Sequence, residues 1–551
     1  MFINLILNQK KKIKKYVFKI FFLILIIIPN IKSELEARIR ITSNNEFIIE
    51  TSNFSETELY IAKAYYNNSL NEIGWDSLSI TTNNIFSDEI QMQSVGKIEA
   101  FVTKDRIFNH YKNIMSFDSL NEKSLDFLIK QENFINEQYK NNPNDIYFYL
   151  AHLILLQFNS LYEEYNLICE KDKKINKEGF YLMQYQADLI EINKKFNRPN
   201  YSEMTNEELR NYLLNRSHCS ALFKVKDDLS DIFFGHNTWH SYAMMTRIFK
   251  EYNINLNHPL IKSKNVLFSS YPATLNSLDD FYITNQELIV IETTNIFFNN
   301  TLYDYINPNS LLCWQRVIIS NFLSETSLEW TKHFSKYSSG TYNDMFMILD
   351  GKKIDLENKK IGENSFYIIE TLPNYTFVND VTDYLKRSYF PSYNIPFDKE
   401  NTKISNISNF LKERPSFRPD VDYDFSPRAK IFRRDQYKIN GIESMKKMMR
   451  YNNYLKEEFS LNKPTYTISA RGDLKKDSSC HGAYDAKISS IKDIKGKKYK
   501  KIYIISGPTY DDGLMPFNWN NTENQNCKKL KREGLKDEMK YDWVEYINKF
   551  N

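Results

Sequence analysis

Residues 215–250 read NRSHCSALFKVKDDLSDIFFGHNTWHSYAMMTRIFK, and their order decides how the rest of the chain is understood. A lone cysteine, Cys219, follows a polar turn and precedes the apolar run Ala221, Leu222, Phe223. A second β-like run, 231–234, leads into His236, Asn237, Thr238 and Trp239. Two short apolar runs separated by the polar, turn-forming residues 226–230 predict a hairpin. Its first strand opens on the thiol, and its second brings four polar or aromatic side chains back beside it. By itself a cysteine next to Ala-Leu-Phe is a buried structural thiol, and a histidine at a strand end is a satisfied one.

Outward from the hairpin, residues 34–105 hold short apolar runs such as 47–49 and 59–62, which predict strands. Leu125, Leu128, Ile129 and Ile135, then Leu150, Leu153, Ile154 and Phe158, predict amphipathic helices within 119–195. Residues 196–218 are polar and turn-rich, the composition of an exposed loop within reach of a protease. Beyond Cys219, strands are expected at 288–294, 345–349 and 366–369 and a helix at 314–330. The basic run 487–501 is expected to be a solvated face. Strands grouped beside helix pairs, without regular βαβ alternation, favour stacked sheets covered by helices.

The 551 residues carry a formal charge of +4, but residues 1–33 contain seven lysines and no acid, which leaves −3 on the remainder. Such a balance gives no reason to invoke nucleic acid as a partner. The same 33 residues place Lys10 to Lys19 ahead of the apolar run 21–28, with Pro29 and the small Ser33 after it. They read as a secretory signal peptide, a signal anchor being the rival. The mature chain is then expected in a secreted or lysosomal lumen. Five cysteines leave one unpaired in an oxidising compartment. If Cys219 is that one, the other four form up to two disulfides, and Cys480–Cys527, both in polar C-terminal loops, is the pair expected. Asn-X-Ser/Thr sites permit glycosylation without arguing for it. His236 and His240 lack an accompanying acid, so neither a metal nor another cofactor is expected.

CSAL at 219–222 and HNTW at 236–239 are joined by FSSYP at 268–272, DDFY at 279–282, ETT at 292–294 and SGTYN at 339–343. SYNIP at 392–396, PRAKIFRRD at 427–435, MRYN at 449–452, ARGDL at 470–474, SGPT at 506–509 and Pro516-Phe517 follow. In this order they resemble the phospholipase B-like (lamina ancestor) family of N-terminal-nucleophile hydrolases. The resemblance implies an α+β fold of αββα layering, two stacked antiparallel sheets covered by helices. It also implies a precursor that cuts itself between His218 and Cys219. Its parts would be 1–33, the signal peptide; 34–218, the N-terminal fragment with its processing loop at 196–218; and 219–551, the catalytic fragment, the two fragments remaining one folded unit.

Under that resemblance Cys219 is the nucleophile and its freed α-amine the base, because a terminal amine titrates near 7.7–8.0. His236 orients or polarises near the thiol, and Asn343 offers an amide N–H to the oxyanion. Asn237, Thr238, Trp239, Asp279 and Arg471 shape the site, with Asp280, Arg433 and Arg434 as further ion-pairing candidates. The substrate implied is a phospholipid acyl ester, met in transient contact with a membrane surface. An amidase for small amides and an inert lumenal protein that binds lipid or a partner are the alternatives. The chain departs from the family pattern at Ser338 and 344–346, where Asn and Asn-Gln-Trp are expected, and at Ala273 and 286–287, where glycine is expected.

Overall fold

The computed structural model describes residues 34–44, 46–51, 59–214 and 219–548. The expected signal peptide and His218 lie outside the described residues. The hairpin forms as read: strand Cys219–Val225 pairs antiparallel with Ile232–Ser241, with Cys219 opposite Thr238, Ala221 opposite His236 and Phe223 opposite Phe234. Alternate side chains leave a strand on opposite faces. Ala221, Phe223 and Val225 enter one core, while Leu222 enters another. Both faces are therefore buried, which is why the strand reads as a continuous apolar run rather than an alternating one.

This hairpin lies in a seven-stranded sheet, in which Tyr389–Ser392 borders Cys219–Val225 and Asp485–Ser490 borders Ile232–Ser241. The second sheet has eleven strands and runs from Tyr375–Asp380 at one edge to Phe47–Glu50 at the other. Phe223 and Phe234 of the smaller sheet interdigitate with Phe281, Ile291, Met345 and Met347 of the larger one. Helices Asp88–Ile114, Ile146–Ile168 and Cys313–Leu323 cover the outer face of the larger sheet, and Pro427–Asp435 and Ile442–Met449 that of the smaller. The chain is thus α+β, two stacked sheets with helices packed against both.

The sheets are not wholly antiparallel. Asp76–Thr82 pairs parallel with Ile248–Asn253, so residues on either side of Cys219 share one sheet. A parallel pair needs a long crossover. Here it includes the helical layer and the hairpin itself. Within that layer Gly96 lets two helices touch, because a Cβ there would sit 2.1 Å from the Gln157 carbonyl oxygen.

Several sequence expectations need correction. The strand region ends early, since Ser87 caps a 27-residue helix from Asp88 with its side chain on the Ile90 N–H. The single helix expected at 314–330 is two, because Thr326 and Glu329 form a capping box that starts Ser327–Phe334 afresh. The processing loop contains a helix, Asn206–Leu214, whose Leu209 and Leu213 pack against Phe298, Phe410 and Phe417. Lys487, in the run expected to be solvated, is fully buried in strand Asp485–Ser490. Cys480 and Cys527 do form the expected disulfide, and Cys169 and Cys313 carry free thiols, so among the described residues the allowance of up to two bridges is met by one. Ala273 and Glu287 stand in left-handed backbone, φ 58° and 56°, where the resemblance led to glycine, so the turns persist despite the lost conformational freedom.

Candidate active site

Cys219 opens its strand 1% exposed, with its thiol 4.0 Å from Oε1 of Glu292 on strand Leu288–Thr294 of the facing sheet. Burial pushes the thiol well above its usual range; Glu292 pushes it further, and Lys487 opposes. Thr238 is its direct cross-strand neighbour and so shares its face of the sheet. The backbone N–H of Trp239 also faces the sulfur.

The four residues of the HNTW segment do different things. Asn237 clamps the hairpin: its Oδ1 accepts from the Ser220 N–H (3.0 Å) and Trp239 Nε1 (2.9 Å), and its Nδ2 donates to the carbonyls of Met449 and Ile468. The Thr238 hydroxyl donates to Asp279 at 2.9 Å. Trp239 lies under the Arg428 guanidinium, 4.3 Å from ring centroid to Cζ. The carbonyl of Glu292 faces the His236 ring, yet neither ring nitrogen makes a well-formed hydrogen bond. Burial, with Lys487 nearby, holds that imidazole neutral well below its ordinary pKa.

Behind Thr238 lies a closed set of four charges. Asp279 accepts from Arg247 (2.8 Å), Lys487 (2.7 Å) and Ser269 (2.7 Å). Asp485 accepts from the same two cations at 3.0 Å each. All four side chains have no exposed surface. Two acids against two bases leave no net buried charge, which is the condition for such a group to be tolerated. Asp279 is held well below the carboxylate range by Arg247 and Lys487, against its own burial.

Five residues around Cys219, Glu292 among them, were not singled out from the sequence, although four of them lie in the family-like strings. The Tyr342 hydroxyl donates to Glu292 Oε1 at 2.9 Å, the oxygen that also faces the thiol. Arg428 donates to the Cys219 carbonyl at 2.7 Å, to the Tyr393 carbonyl at 2.6 Å and to Asn394 Oδ1 at 2.9 Å. Only neutral oxygens accept from it, and burial lowers its pKa to about 9. Asn394 in turn donates to the Thr294 carbonyl, tying Arg428 to the strand that carries Glu292. Lys487 completes the set; nothing in a lysine-rich run marks one member as buried.

Other expected residues lie elsewhere. The Asn343 amide is buried and donates to the Gly340 carbonyl at 3.1 Å, within its own turn. Arg471 braces a loop through Asp473 and the carbonyls of Thr509 and Met515. Arg434 pairs with Asp435 and Glu457, and Arg433 lies exposed beside Asp424. Asp280 is buried in left-handed backbone, its carboxyl pushed up by burial and by Glu292. Asp344, one of the positions expected to be Asn, likewise has its carboxyl pushed up by burial and by Glu292, and its Oδ2 accepts from the Cys313 thiol at 3.5 Å. Among the described residues no group of three or more His, Cys, Asp or Glu is arranged to hold a metal ion.

A cavity of about 360 Å³ is lined by Trp239, Arg428, Leu213 and Leu214. Leu214 is the last described residue before Cys219, and Arg428 links the cavity to Cys219 by donating to its carbonyl. The family model for phospholipase B matches residues 62–546. The chain belongs to the phospholipase B family. It is similar to phospholipase B-like 1 of Bos taurus, 36% identical over 494 residues that cover 88% of each chain. Phospholipase B of Crotalus adamanteus is 34% identical over 500 residues, again 88% of each. Phospholipase B-like protein B of Dictyostelium discoideum is 33% identical over 524 residues, 93% of this chain and 89% of that one.

In this phospholipase B family member, the buried carboxyls set a pH dependence. Burial raises Asp188 to about 6 and Glu370 to about 7, and raises Asp280, Glu292 and Asp344 as well. Unfolded carboxyls titrate near 3.9–4.3. Between there and pH 6–7 the folded chain therefore holds protons that the unfolded chain releases. The resulting stability is complete below about pH 4 and is lost as pH rises through 6–7. His110, lowered to about 3, and His152, His236 and His333, also lowered by burial, act oppositely, since unfolded imidazoles gain protons below about 6.5. With Asp76, Asp231, Asp350, Asp420, Asp493 and Asp511 also raised by burial, the raised carboxyls outnumber the four rings. Thermal unfolding followed by circular dichroism should give a Tm several degrees higher at pH 5 than at pH 8, and Asp344→Asn should flatten the difference.

Proposed function

We propose that this chain is an acyl hydrolase of N-terminal-nucleophile type, acting on the fatty acyl esters of phospholipids through a thioester at Cys219. The observation that carries this reading is the setting of Cys219: first on a buried strand, with a carboxyl group beside its thiol and a guanidinium on its carbonyl. The stacked sheets with helices outside are those the αββα nucleophile fold requires. The N-terminal segment 1–33 is read as a signal peptide that sends the protein to a secretory or lysosomal lumen.

In the uncut chain the Cys219 thiol attacks the carbonyl of His218, and its proton passes to Glu292 once that raised carboxyl has ionised. Collapse of the adduct breaks the 218–219 amide as Glu292 returns the proton to the Cys219 nitrogen, and leaves a thioester, which water hydrolyses to free the thiol and the His218 carboxylate. Cys219 then carries a free α-amine, and that amine takes the thiol proton in later turnovers. Fragments 34–218 and 219–551 stay joined because Asp76–Thr82 and Ile248–Asn253 share a sheet. The substrate acyl group enters the cavity at Trp239 and Arg428. For the oxyanion, the Trp239 N–H that faces the thiol is better placed than the Asn343 amide, which is bound to Gly340. His236, neutral and without a well-formed bond, polarises the site rather than relaying charge.

Glu292→Gln should slow self-cleavage by roughly 10²–10⁴-fold, the usual contribution of a positioned base. Its turnover after processing should suffer less, because the amine then serves. Electrophoresis of freshly folded protein measures the first rate, and unchanged cleavage removes Glu292 from the mechanism. The function itself is tested by offering processed protein labelled phospholipids and N-acyl amides and looking for an acyl adduct on Cys219. Transfer from amides alone would favour the amidase reading; no adduct from either would favour an inert binding protein.

A further inference from the structure

Around the mouth of the cavity lined by Trp239 and Arg428 three leucines face water: Leu455 is 68% exposed, Leu461 57% and Leu474 38%. Leu474 lines the cavity itself, and the other two directly follow Tyr454 and precede Asn462, which also line it. Leu461 and Asn462 both sit in left-handed backbone, φ 53° and 58°. A bulky aliphatic residue adopts that conformation only where its surroundings impose it. Here they do. The buried Ser460 hydroxyl bonds the carbonyls of Tyr454 and Glu457, each at 2.7 Å, and accepts from the Asn462 N–H at 3.2 Å. Glu457 is fixed in turn by Arg434 and Tyr451. The loop is a rigid frame that holds apolar tips outward.

Between these tips stand cations. Lys456, Lys475 and Lys476 are exposed, and half-buried Lys463 lies 4.3 Å over the Tyr466 ring. The exposed acids nearby are Glu458, which is 3.9 Å from Arg434, and Asp477. Apolar tips interleaved with lysines match a layer of anionic headgroups above acyl chains. They ring the entry to the cavity that holds Arg428 and Trp239.

We propose that the loop 453–466, with 474–476, is the surface by which the protein docks on an anionic phospholipid membrane, delivering a lipid into the cavity below. This rests on the lipid-substrate reading above. The leucines enter the headgroup–acyl boundary and the lysines meet phosphate.

The test uses the processed full chain and sedimentation with vesicles of phosphatidylcholine, with and without phosphatidylglycerol. Wild type should bind the anionic vesicles more tightly, and high salt should weaken that binding. Leu455→Asp combined with Leu461→Asp should weaken it about tenfold or more. Leu461→Asn should also weaken it while keeping or raising Tm, because Asn tolerates left-handed backbone. Both should hydrolyse a short-chain ester dissolved as monomers at the wild-type rate. Folded variants that bind vesicles like wild type would overturn the surface, as would leucine-dependent self-association in sedimentation equilibrium without vesicle binding. Hydrolysis of the soluble ester without vesicle binding would sink the surface and leave the activity standing. Binding without hydrolysis of any ester would do the reverse.

Discussion

Cys219→Ala is expected to remain a single chain and to lose acyl transfer altogether. Both consequences follow from one atom. On the proposed mechanism the Cys219 thiol attacks the preceding carbonyl in the uncut protein, and the same sulfur forms the thioester in the cut one. Removing a nucleophile of this kind lowers turnover by roughly 10⁶-fold. The fold should survive, because alanine keeps the strand and its pairing with Thr238, and because the thiol's bond to Glu292 is long, at 4.0 Å. Cys219→Ser should cut slowly, its hydroxyl being a poorer nucleophile in the same place. Mass spectrometry of both variants, purified free of proteases, reads the result. Cleavage of the alanine variant at the 218–219 bond would defeat the autocatalytic mechanism. Nicks within 197–205 would not bear on it, since those turns are reachable by any protease.

What the sequence disclosed and what it hid divide along a physical line. The hairpin was legible because its two apolar runs and the polar turn between them are local. The family strings were legible because they keep order along the chain. The disulfide was legible because both cysteines stand in polar stretches of the sequence, although Cys527 folds into the short helix Gln525–Lys529. The charge network behind Thr238 was not. Asp279, Arg247 and the strand pair Asp485 and Lys487 come from three separate segments, and although Asp279 was expected near the site, its three partners look like surface residues where they stand in the sequence. Only the stacking of the two sheets brings them together and removes the water. Arg428 was hidden for a related reason: it sits two places into a helix rich in arginine, and its neighbours Arg433 and Arg434 turn outward. The helix Asn206–Leu214 was missed because its burial depends on Phe298, Phe410 and Phe417, far along the chain. The left-handed turns at Ala273 and Glu287 were missed because no glycine marks them.

Asp279→Ala should be the most destabilising single change in the site, costing about 3–5 kcal/mol, because it strands buried cations. With Asp279 gone, Arg247 and Lys487 face Asp485 alone, Thr238 keeps only Asp485 as acceptor, and Ser269 loses its acceptor. Chemical denaturation of the uncut Cys219→Ala protein isolates this cost from processing. Combining Asp279→Ala with Lys487→Met restores the balance of one acid to one base. The pair should therefore lose clearly less than the sum of the two single changes. Additive losses would mean the four charges do not act as a unit. The same variants report on the chemistry. Asp279 raises the Cys219 thiol pKa and Lys487 lowers it. If Asp279→Asn folds, its self-cleavage profile should move to lower pH, and that of Lys487→Met to higher pH. A structural role alone would change the amount of folded protein without displacing either profile, so opposite shifts would tie the buried charges to the nucleophile.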